Sequence, residues 1–194
     1  MSIYDLPINF INEKSNVMDV VRGKVCLMVN IASKHGYQAK CSPVWSFART
    51  ARQFWELQQV HEEFFDKGFS VVGFPCNQFG KMEPSDNEEI EKFIKENYPF
   101  VSFPITEKIN VNGKDEHPIY TLLKGPLLRR NDDNMADMSN NAIDGQNKAM
   151  QAMSRVPHNW EKFLVSREGI QVGRFNWAES PLADEPIAMG AGWT

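Results

Sequence analysis

The side chains best suited to redox chemistry in this chain are its three thiols, which belong to Cys26, Cys41 and Cys76. A thiol reacts as its thiolate, and nearby positive charge or a helix amino terminus lowers its pKa. Cys41 has such a setting, because Lys34 and Lys40 are close to it in sequence. The Ser42–Pro43 pair then predicts a turn before a helix. Cys26 lies instead in the apolar run VCLMV, which favours a buried, structural thiol.

The hydrophobic pattern predicts the elements that must position these thiols. Strand-like apolar runs alternate with helical spacing or helix caps, and the pattern closes with a hairpin. The predicted elements are a strand over Lys24–Ile31, a helix from Phe54 to Phe65 that ends at Gly68, a strand over Phe69–Phe74, a helix from Asp86 or Asn87 to Asn97, a short helix over His117–Lys124, and hairpin strands over Phe163–Ser166 and Val172–Phe175. This order predicts an α/β fold with a mixed central sheet flanked by helices.

Two motifs, NIASKHGY at residues 30–37 and GFPCNQFG at residues 73–80, resemble the best-known motifs of the glutathione peroxidase family. Shorter matches occur in the same order along most of the chain: Ser2–Asp5, Gly23–Val25, Glu83–Pro84, Asn87–Ile90, Val111–Gly113, His117–Tyr120, Lys162–Val165 and Ser180–Leu182. The resemblance is to the phospholipid-hydroperoxide or thioredoxin-dependent type, and it implies a single thioredoxin-like domain over residues 1–194. It also implies the family's activity, the reduction of hydroperoxides by glutathione or thioredoxin.

His35 is the main departure from the family pattern, whose first motif normally reads NVASKCGY. The resemblance places this histidine where the family has its redox-active cysteine or selenocysteine. That residue attacks the peroxide, becomes a sulfenic or selenenic acid and is reduced again by thiols, whereas an imidazole nitrogen has no comparable state. The resemblance also matches Gln78 and Asn159 to the family's catalytic glutamine and asparagine, and His158 to its catalytic tryptophan. It therefore implies a vestigial site of His35, Gln78, His158 and Asn159.

Two functional interpretations follow. In the first, the chain is a non-catalytic member that acts as a structural or protein-binding subunit of a larger assembly, with no cofactor. In the second, it is a thiol-dependent peroxidase of the oxidative stress response, with a nucleophile relocated to Cys41 or Cys76 and with glutathione or thioredoxin as reductant. Cys76 matches a family cysteine outside the catalytic position, which favours a structural role. The position of the family's resolving cysteine falls near Lys95, so no resolving thiol is visible in the sequence. We favour the first interpretation.

The histidines His35 and His158 should face each other if the family's fold holds, which raises the question of a metal site. Zinc normally takes three or four ligands from imidazole, thiolate and carboxylate groups, and the side-chain amides nearby are poor substitutes. We therefore expect no bound metal. His61, on a predicted helix, and His117, in a family motif, are interpreted as structural.

Three regions depart from the family pattern, and the candidate partner-binding residues lie within them or directly next to them. They are an insertion near residues 38–54, a divergent loop near 127–157 and an atypical, glycine-rich tail over 183–194. Aromatic residues often act as anchors at protein interfaces. The candidate anchors are Trp45, Phe47, Trp55 and Trp193.

Composition narrows the class and the location of the protein. A chain of 194 residues with 42% hydrophobic content is sufficient for one substantial core. A net charge of −4 gives no basic surface of the kind that binds nucleic acid, and no apolar run is long enough to span a bilayer. The odd number of cysteines indicates a reducing compartment, so we expect the cytoplasm or the mitochondrial matrix. The expected partners are proteins of a large intracellular or organellar complex.

Overall fold

The computed structural model describes residues 1–34, 43–125 and 154–182. The predictions for His35, Cys41 and Trp193 lie outside these described residues, as do those for most of the divergent loop and for the tail 183–194. The backbone of residues 43–48 is described as helix, but the predictions for the side chains of Trp45 and Phe47 also lie outside the described part of the chain.

A four-stranded mixed sheet in the order β2-β1-β3-β4 organises the fold. Its strands are β1 (Val25–Ile31), β2 (Phe69–Pro75), β3 (Lys162–Val165) and β4 (Gln171–Phe175). β1 pairs in parallel with β2 and antiparallel with β3, and β3 pairs antiparallel with β4. The predicted α/β fold with a mixed central sheet is confirmed.

The helices are α1 (Val17–Val21), α2 (Pro43–Phe64), α3 (Asn87–Asn97) and α4 (Pro118–Leu123). The Asp86 carboxylate caps α3 as predicted, accepting a hydrogen bond from the backbone N–H of Glu89, and the His117 imidazole caps α4 in a similar way. Gly68 follows a short 3-10 turn after α2 and has a φ of +80°, a left-handed conformation that favours glycine. α2 begins earlier than the apolar spacing predicts, and Pro43 suits its first position.

Two hydrophobic clusters, one on each face of the sheet, form the core. Alternate residues of β1 belong to different clusters: Leu27 and Val29 pack on the side of α2 and α3, and Cys26 and Met28 on the side of α1 and α4. Because both faces of β1 are covered, its residues are buried throughout and do not alternate between apolar and polar. Burial raises the pKa of the Cys26 thiol to about 12, which agrees with its predicted structural role. Within the described ranges, no helix combines the length and apolarity needed to cross a membrane.

Candidate functional site

The candidate site lies at the carboxyl ends of β1 and β2. Lys34 comes shortly after β1, and Gln78 comes shortly after β2. His158 and Asn159 precede β3, whose antiparallel pairing with β1 brings its amino end to the same edge of the sheet. The fold thus brings together three of the four residues predicted for a vestigial site, and the fourth, His35, follows directly on Lys34 outside the described residues.

Asn30 anchors the segment before β3 to the end of β1. Its Nδ2 donates to the backbone oxygen of His158 at 2.9 Å, and its backbone oxygen accepts from the N–H of Trp160 at 2.7 Å. Trp160 has a φ of +72°, a left-handed conformation that is strained for a bulky side chain. The two hydrogen bonds to Asn30 hold this strained segment, so His158 and Asn159 have a defined position at the end of the sheet.

Gln78 is bound to a neighbouring loop through its whole side-chain amide. Its Oε1 accepts hydrogen bonds from the backbone N–H groups of Val111 and Asn112, at 2.8 and 2.9 Å, and its Nε2 donates to the backbone oxygen of Asn112 at 2.8 Å. The Asn112 side chain in turn pairs with the backbone N–H and oxygen of Val156, both at 2.9 Å. Gln78 therefore ties its own turn to the loop at 111–112, and the Asn112 side chain ties that loop to the segment that leads into β3.

The His158 ring packs near two aromatic side chains. Its centroid is 6.4 Å from that of Phe79, with the ring planes 21° apart, and 5.6 Å from that of Trp177. Its Nδ1 is 3.0 Å from the backbone oxygen of Asn159, so Nδ1 carries the proton when it donates to that oxygen. The half-buried imidazole thus packs near both aromatic rings, next to the turn that carries Gln78.

Asn159 is fully buried, and neither its Oδ1 nor its Nδ2 has a hydrogen-bond partner among the described residues. Within the same ranges, the indole Nε1 of the adjacent Trp160 is also buried and unpaired. A buried polar group without a partner costs about 1–3 kcal/mol. Such groups are rare in folded proteins, so a further hydrogen-bonding group would stabilise Asn159 and Trp160, as well as the buried Oδ1 of Asn30, which also has no partner among the described residues.

The buried carboxyl group of Glu83, which sequence analysis did not select as a site residue, holds the chain just before His35. It accepts hydrogen bonds from the backbone N–H of Ser33 and, at 2.9 Å, from the Ser33 hydroxyl. Burial raises the pKa of Glu83, although the hydrogen bonds from Ser33 oppose this effect. The match of Glu83–Pro84 to the family pattern was the signal that could have identified it.

Lys34 and Lys108 extend this polar cluster. The ammonium group of Lys34 donates to the Ser85 hydroxyl, and that of Lys108 donates to the backbone oxygens of Ser85 and, at 3.4 Å, of Glu83. Two positive charges therefore lie next to the buried carboxyl group, and the Coulomb attraction of both opposes the rise in its pKa. The cluster fixes the position of the chain where it leaves β1.

Cys76 is the candidate nucleophile that the structure describes, and it is fully buried. Its Sγ lies 3.7 Å from Oε1 of Gln78, and burial raises the pKa of the Cys76 thiol. Both its burial and its raised pKa disfavour the thiolate that nucleophilic attack requires. The prediction of a nucleophile at Cys41 concerns a residue outside the described ranges.

Within residues 1–34, 43–125 and 154–182, no group of three or more histidine, cysteine, aspartate or glutamate side chains is arranged to hold a metal ion. The pair His35 and His158 includes one residue outside those ranges. The expectation of no bound metal therefore stays a prediction.

Trp55 is the partner-binding candidate whose side chain the structure describes. It lies on α2 with 50% of its surface exposed, whereas the adjacent Phe54 is buried in the core. An exposed tryptophan on a long helix is the kind of residue that anchors protein interfaces. Its contact with a partner stays a prediction.

Comparison with known proteins extends the similarity over nearly the whole chain. Residues 3–124 match the family described as glutathione peroxidase. The chain is 35% identical over 180 residues to glutathione peroxidase-like peroxiredoxin 2 of Saccharomyces cerevisiae, covering 93% of this chain and 90% of that protein. It is 31% identical over 191 residues to the glutathione peroxidase homolog BsaA of Bacillus subtilis, covering 97% and 98% of the two chains.

Solved structures confirm that the fold is thioredoxin-like. The crystal structure of Trgpx in apo form aligns with a TM-score of 0.60 and 28% identity, covering 98% of this chain and 95% of that one. A thioredoxin-family thiol:disulfide interchange protein from Chlorobium tepidum aligns with a TM-score of 0.54 and covers 96% and 94% of the two chains. At 13% identity, this second similarity concerns the fold alone.

Proposed function

Because the chain belongs to the glutathione peroxidase family, we propose that it is a member without the family's peroxidase chemistry and that it serves as a protein-binding subunit of a larger intracellular assembly. The observation that carries this proposal is His35 in the motif NIASKHGY, where the family pattern has cysteine or selenocysteine. Peroxide reduction requires an atom that takes up oxygen and is then reduced by thiols. An imidazole nitrogen does not do this.

The two thiols that the structure describes support the proposal, because neither has the exposure and the low pKa that a peroxide-attacking cysteine needs. Cys26 and Cys76 are both fully buried, and burial raises the pKa of each. A reactive cysteine instead has a lowered pKa and access to its substrate.

The polar groups of the site support the same conclusion. A peroxidase needs hydrogen-bond donors directed at its reactive atom. The Nε2 of Gln78 donates instead to the backbone oxygen of Asn112. His158, at the position where the family pattern has tryptophan, packs near Phe79 and Trp177.

A thiol peroxidase that uses Cys41 is the second candidate. The buried amide of Asn159, which has no hydrogen-bond partner among the described residues, favours it, and several relatives are named peroxiredoxins. In that reaction the Cys41 thiolate attacks one peroxide oxygen and the O–O bond breaks, which leaves a sulfenic acid; the departing oxygen takes up the proton that the thiol had released and leaves as water or an alcohol. Two thiols, from glutathione or thioredoxin, then restore the Cys41 thiol and release water as they form a disulfide.

A single-turnover reaction distinguishes the two functions. The reduced full-length protein and its Cys41→Ser variant are mixed with hydrogen peroxide and, separately, with a lipid hydroperoxide. Thiol loss is followed in time, and peptide mass spectrometry locates the oxidised cysteine. We expect no cysteine to react faster than an ordinary exposed thiol. Rapid, stoichiometric oxidation of Cys41 that disappears in Cys41→Ser would overturn the proposal and establish a relocated peroxidase.

The binding role is tested by the size of the native complex that contains the chain. Full-length protein is expressed in its own host, and the complex is sized by native electrophoresis. We expect Trp55→Ala to reduce the fraction of chain in the complex, and His35→Ala to leave it unchanged. Phe100→Ala is the matched control, since Phe100 is also an exposed aromatic residue, at 40%, but lies after α3. A wild-type chain that migrates as a monomer would contradict the subunit role.

A further inference from the structure

A cavity of about 430 Å³ lies at the end of the sheet opposite to the candidate site. Lys24, which immediately precedes β1, and Ser70, the second residue of β2, both line it. His158 and Gln78 lie beyond the other ends of these strands, and a strand of seven residues is about 20 Å long. We call this space the Lys24 cavity, and it is separate from the site described above.

The walls of the Lys24 cavity are largely apolar. They are formed by side chains from the segment before α1, from α3 and from the segment after α3, namely Phe10, Ile11, Ile94, Val101, Phe103 and Ile105. Two further lining residues, Val20 and Phe65, are 51% and 48% exposed. A concave apolar site with a few polar groups is typical of a small-molecule site, and the exposed apolar side chains are surface that a ligand would cover.

His61 lines this cavity, and a hydrogen bond fixes the tautomer of its ring. Its Nδ1 accepts a hydrogen bond from the backbone N–H of Val71 at 3.2 Å, so the proton of the neutral ring is on Nε2. The side chain is only 5% exposed, and burial lowers its pKa to about 4. Among the described residues, none accepts a hydrogen bond from Nε2. The ring is held by Phe65 and Phe103, with centroids at 5.3 and 6.1 Å.

Lys24 supplies a positive charge at the same wall. Its Nζ lies 4.9 Å from the centroid of the Phe65 ring, which also contacts His61. Within the described ranges, no carboxylate forms an ion pair with Lys24. A half-buried ammonium group next to a neutral donor is a setting that favours a bound anion.

Another part of the wall of the Lys24 cavity contains Asn12, Glu13, Glu91 and Lys95. Glu91 accepts from Lys95 Nζ at 2.8 Å and from Asn12 Nδ2 at 2.7 Å, so its carboxylate is already bound. Glu13, a second acidic residue of this wall, accepts from the Ser15 hydroxyl at 3.0 Å. This wall disfavours an anion, which leaves the wall of Lys24 and His61 for a negatively charged group.

We propose that the Lys24 cavity binds a small amphipathic carboxylate, such as a medium-chain fatty acid. The carboxylate accepts from Lys24 Nζ and His61 Nε2, and the hydrocarbon body packs against Phe10, Phe103 and Ile105. The proposal is independent of the proposed function, because it involves neither His35 nor any thiol.

The test is a titration of the full-length protein with decanoate, below its critical micelle concentration, by calorimetry and ¹⁵N NMR. Decanol is the matched ligand without a charge. Lys24→Met removes the ammonium group and retains an unbranched side chain. Lys67→Met is the control variant, since Lys67 also places its Nζ over an aromatic ring, at 4.5 Å from the Phe64 centroid, but does not line the cavity.

We expect saturable binding of one decanoate and a shift of the His61 Nε2–H resonance. Decanol should bind the wild type about tenfold more weakly or worse, and so should decanoate bind Lys24→Met. A tenfold change corresponds to about 1.4 kcal/mol of binding free energy. Lys67→Met should bind as the wild type does. Equal affinity for decanol, equal affinity in Lys24→Met, or no saturable binding would each overturn the proposal. If Lys24→Met does not fold, shifts in the wild-type spectrum that centre on His158 instead of His61 and Phe103 would also overturn it.

Discussion

Gln78 binds the backbone of Asn112 in both directions: its Oε1 accepts from the Asn112 N–H at 2.9 Å, and its Nε2 donates to the Asn112 oxygen at 2.8 Å. The Asn112 side chain then binds Val156 on the approach to β3. A glutamine that the family resemblance assigns to catalysis therefore serves here to join two loops.

Replacing Gln78 should loosen these loops and lower the stability of the protein. Gln78→Ala removes three hydrogen bonds, but the side chain is exposed and water replaces part of what is lost, so we expect a decrease of about 1 kcal/mol in the free energy of unfolding. Urea denaturation measures it. Gln59→Ala on α2 is the control, because Gln59 forms no side-chain hydrogen bond within the described ranges. Equal stability of the two variants would show that the Gln78 bonds contribute nothing.

The Ser33 hydroxyl should be important for the chain segment that leads to His35. Ser33→Ala removes its hydrogen bond to the buried Glu83 carboxyl group, and we expect a loss of about 1–3 kcal/mol in the free energy of unfolding. Thermal or urea denaturation measures it. Ser70→Ala is the matched control, since Ser70 is also buried but its hydroxyl donates to the backbone oxygen of Val71. A smaller loss for Ser33→Ala than for Ser70→Ala would contradict this role of Glu83.

Protonation of His61 should destabilise the fold as the pH falls. Its pKa is lowered from 6.5 to about 4, first by burial and also by the charge of Lys24, which the charge of Glu62 partly offsets. Between these values the unfolded chain binds a proton that the folded chain does not, so the free energy of unfolding decreases as the pH falls from 6.5 to 4. The decrease is about 3–4 kcal/mol at most, since each pKa unit corresponds to about 1.4 kcal/mol.

His61→Asn tests this contribution, because the asparagine oxygen can still accept from the Val71 N–H but does not titrate. Urea unfolding of both proteins is measured at pH 7 and pH 4.5. We expect the wild type to lose more stability than the variant between these two conditions. Parallel losses in the two proteins would mean that His61 does not carry the effect.

Lys162 should titrate far below an ordinary lysine. It is fully buried in β3, and its Nζ donates to the backbone oxygens of Trp160 at 3.0 Å and Trp177 at 3.4 Å. Burial lowers its pKa to about 8, although the charges of nearby glutamates oppose this shift. Between pH 8 and pH 10.5, Lys162 binds a proton in the unfolded chain more often than in the folded chain. The free energy of unfolding therefore increases with pH over this range because of Lys162. The ¹³Cε resonance of Lys162 should show a midpoint near pH 8, and Lys162→Met should remove this pH-dependent contribution. A midpoint above pH 10 would refute it.

The local pattern of apolar and capping residues was sufficient to predict most of the helices and strands. β1 is predictable because its residues are apolar on both faces, and α3 because Asp86 caps it and its apolar residues recur at helical spacing. α1 has five residues, too few to show a helical period, and is not predicted. The first turns of α2 are also missed, because the apolar repeat becomes clear only near Phe54.

The sequence by itself determined the family and the residue types at its motif positions, including His35 and His158, because a motif is an order of residues and needs no coordinates. Only the tertiary structure decided that Gln78 binds Asn112 and that Lys24 and His61 line one cavity. These contacts join segments far apart in the chain, and their approach depends on strand pairing and loop docking, which no local periodicity encodes. Burial is likewise a result of packing, so the shifted pKa values of Lys162 and His61 follow from the folded molecule and not from the order of its residues.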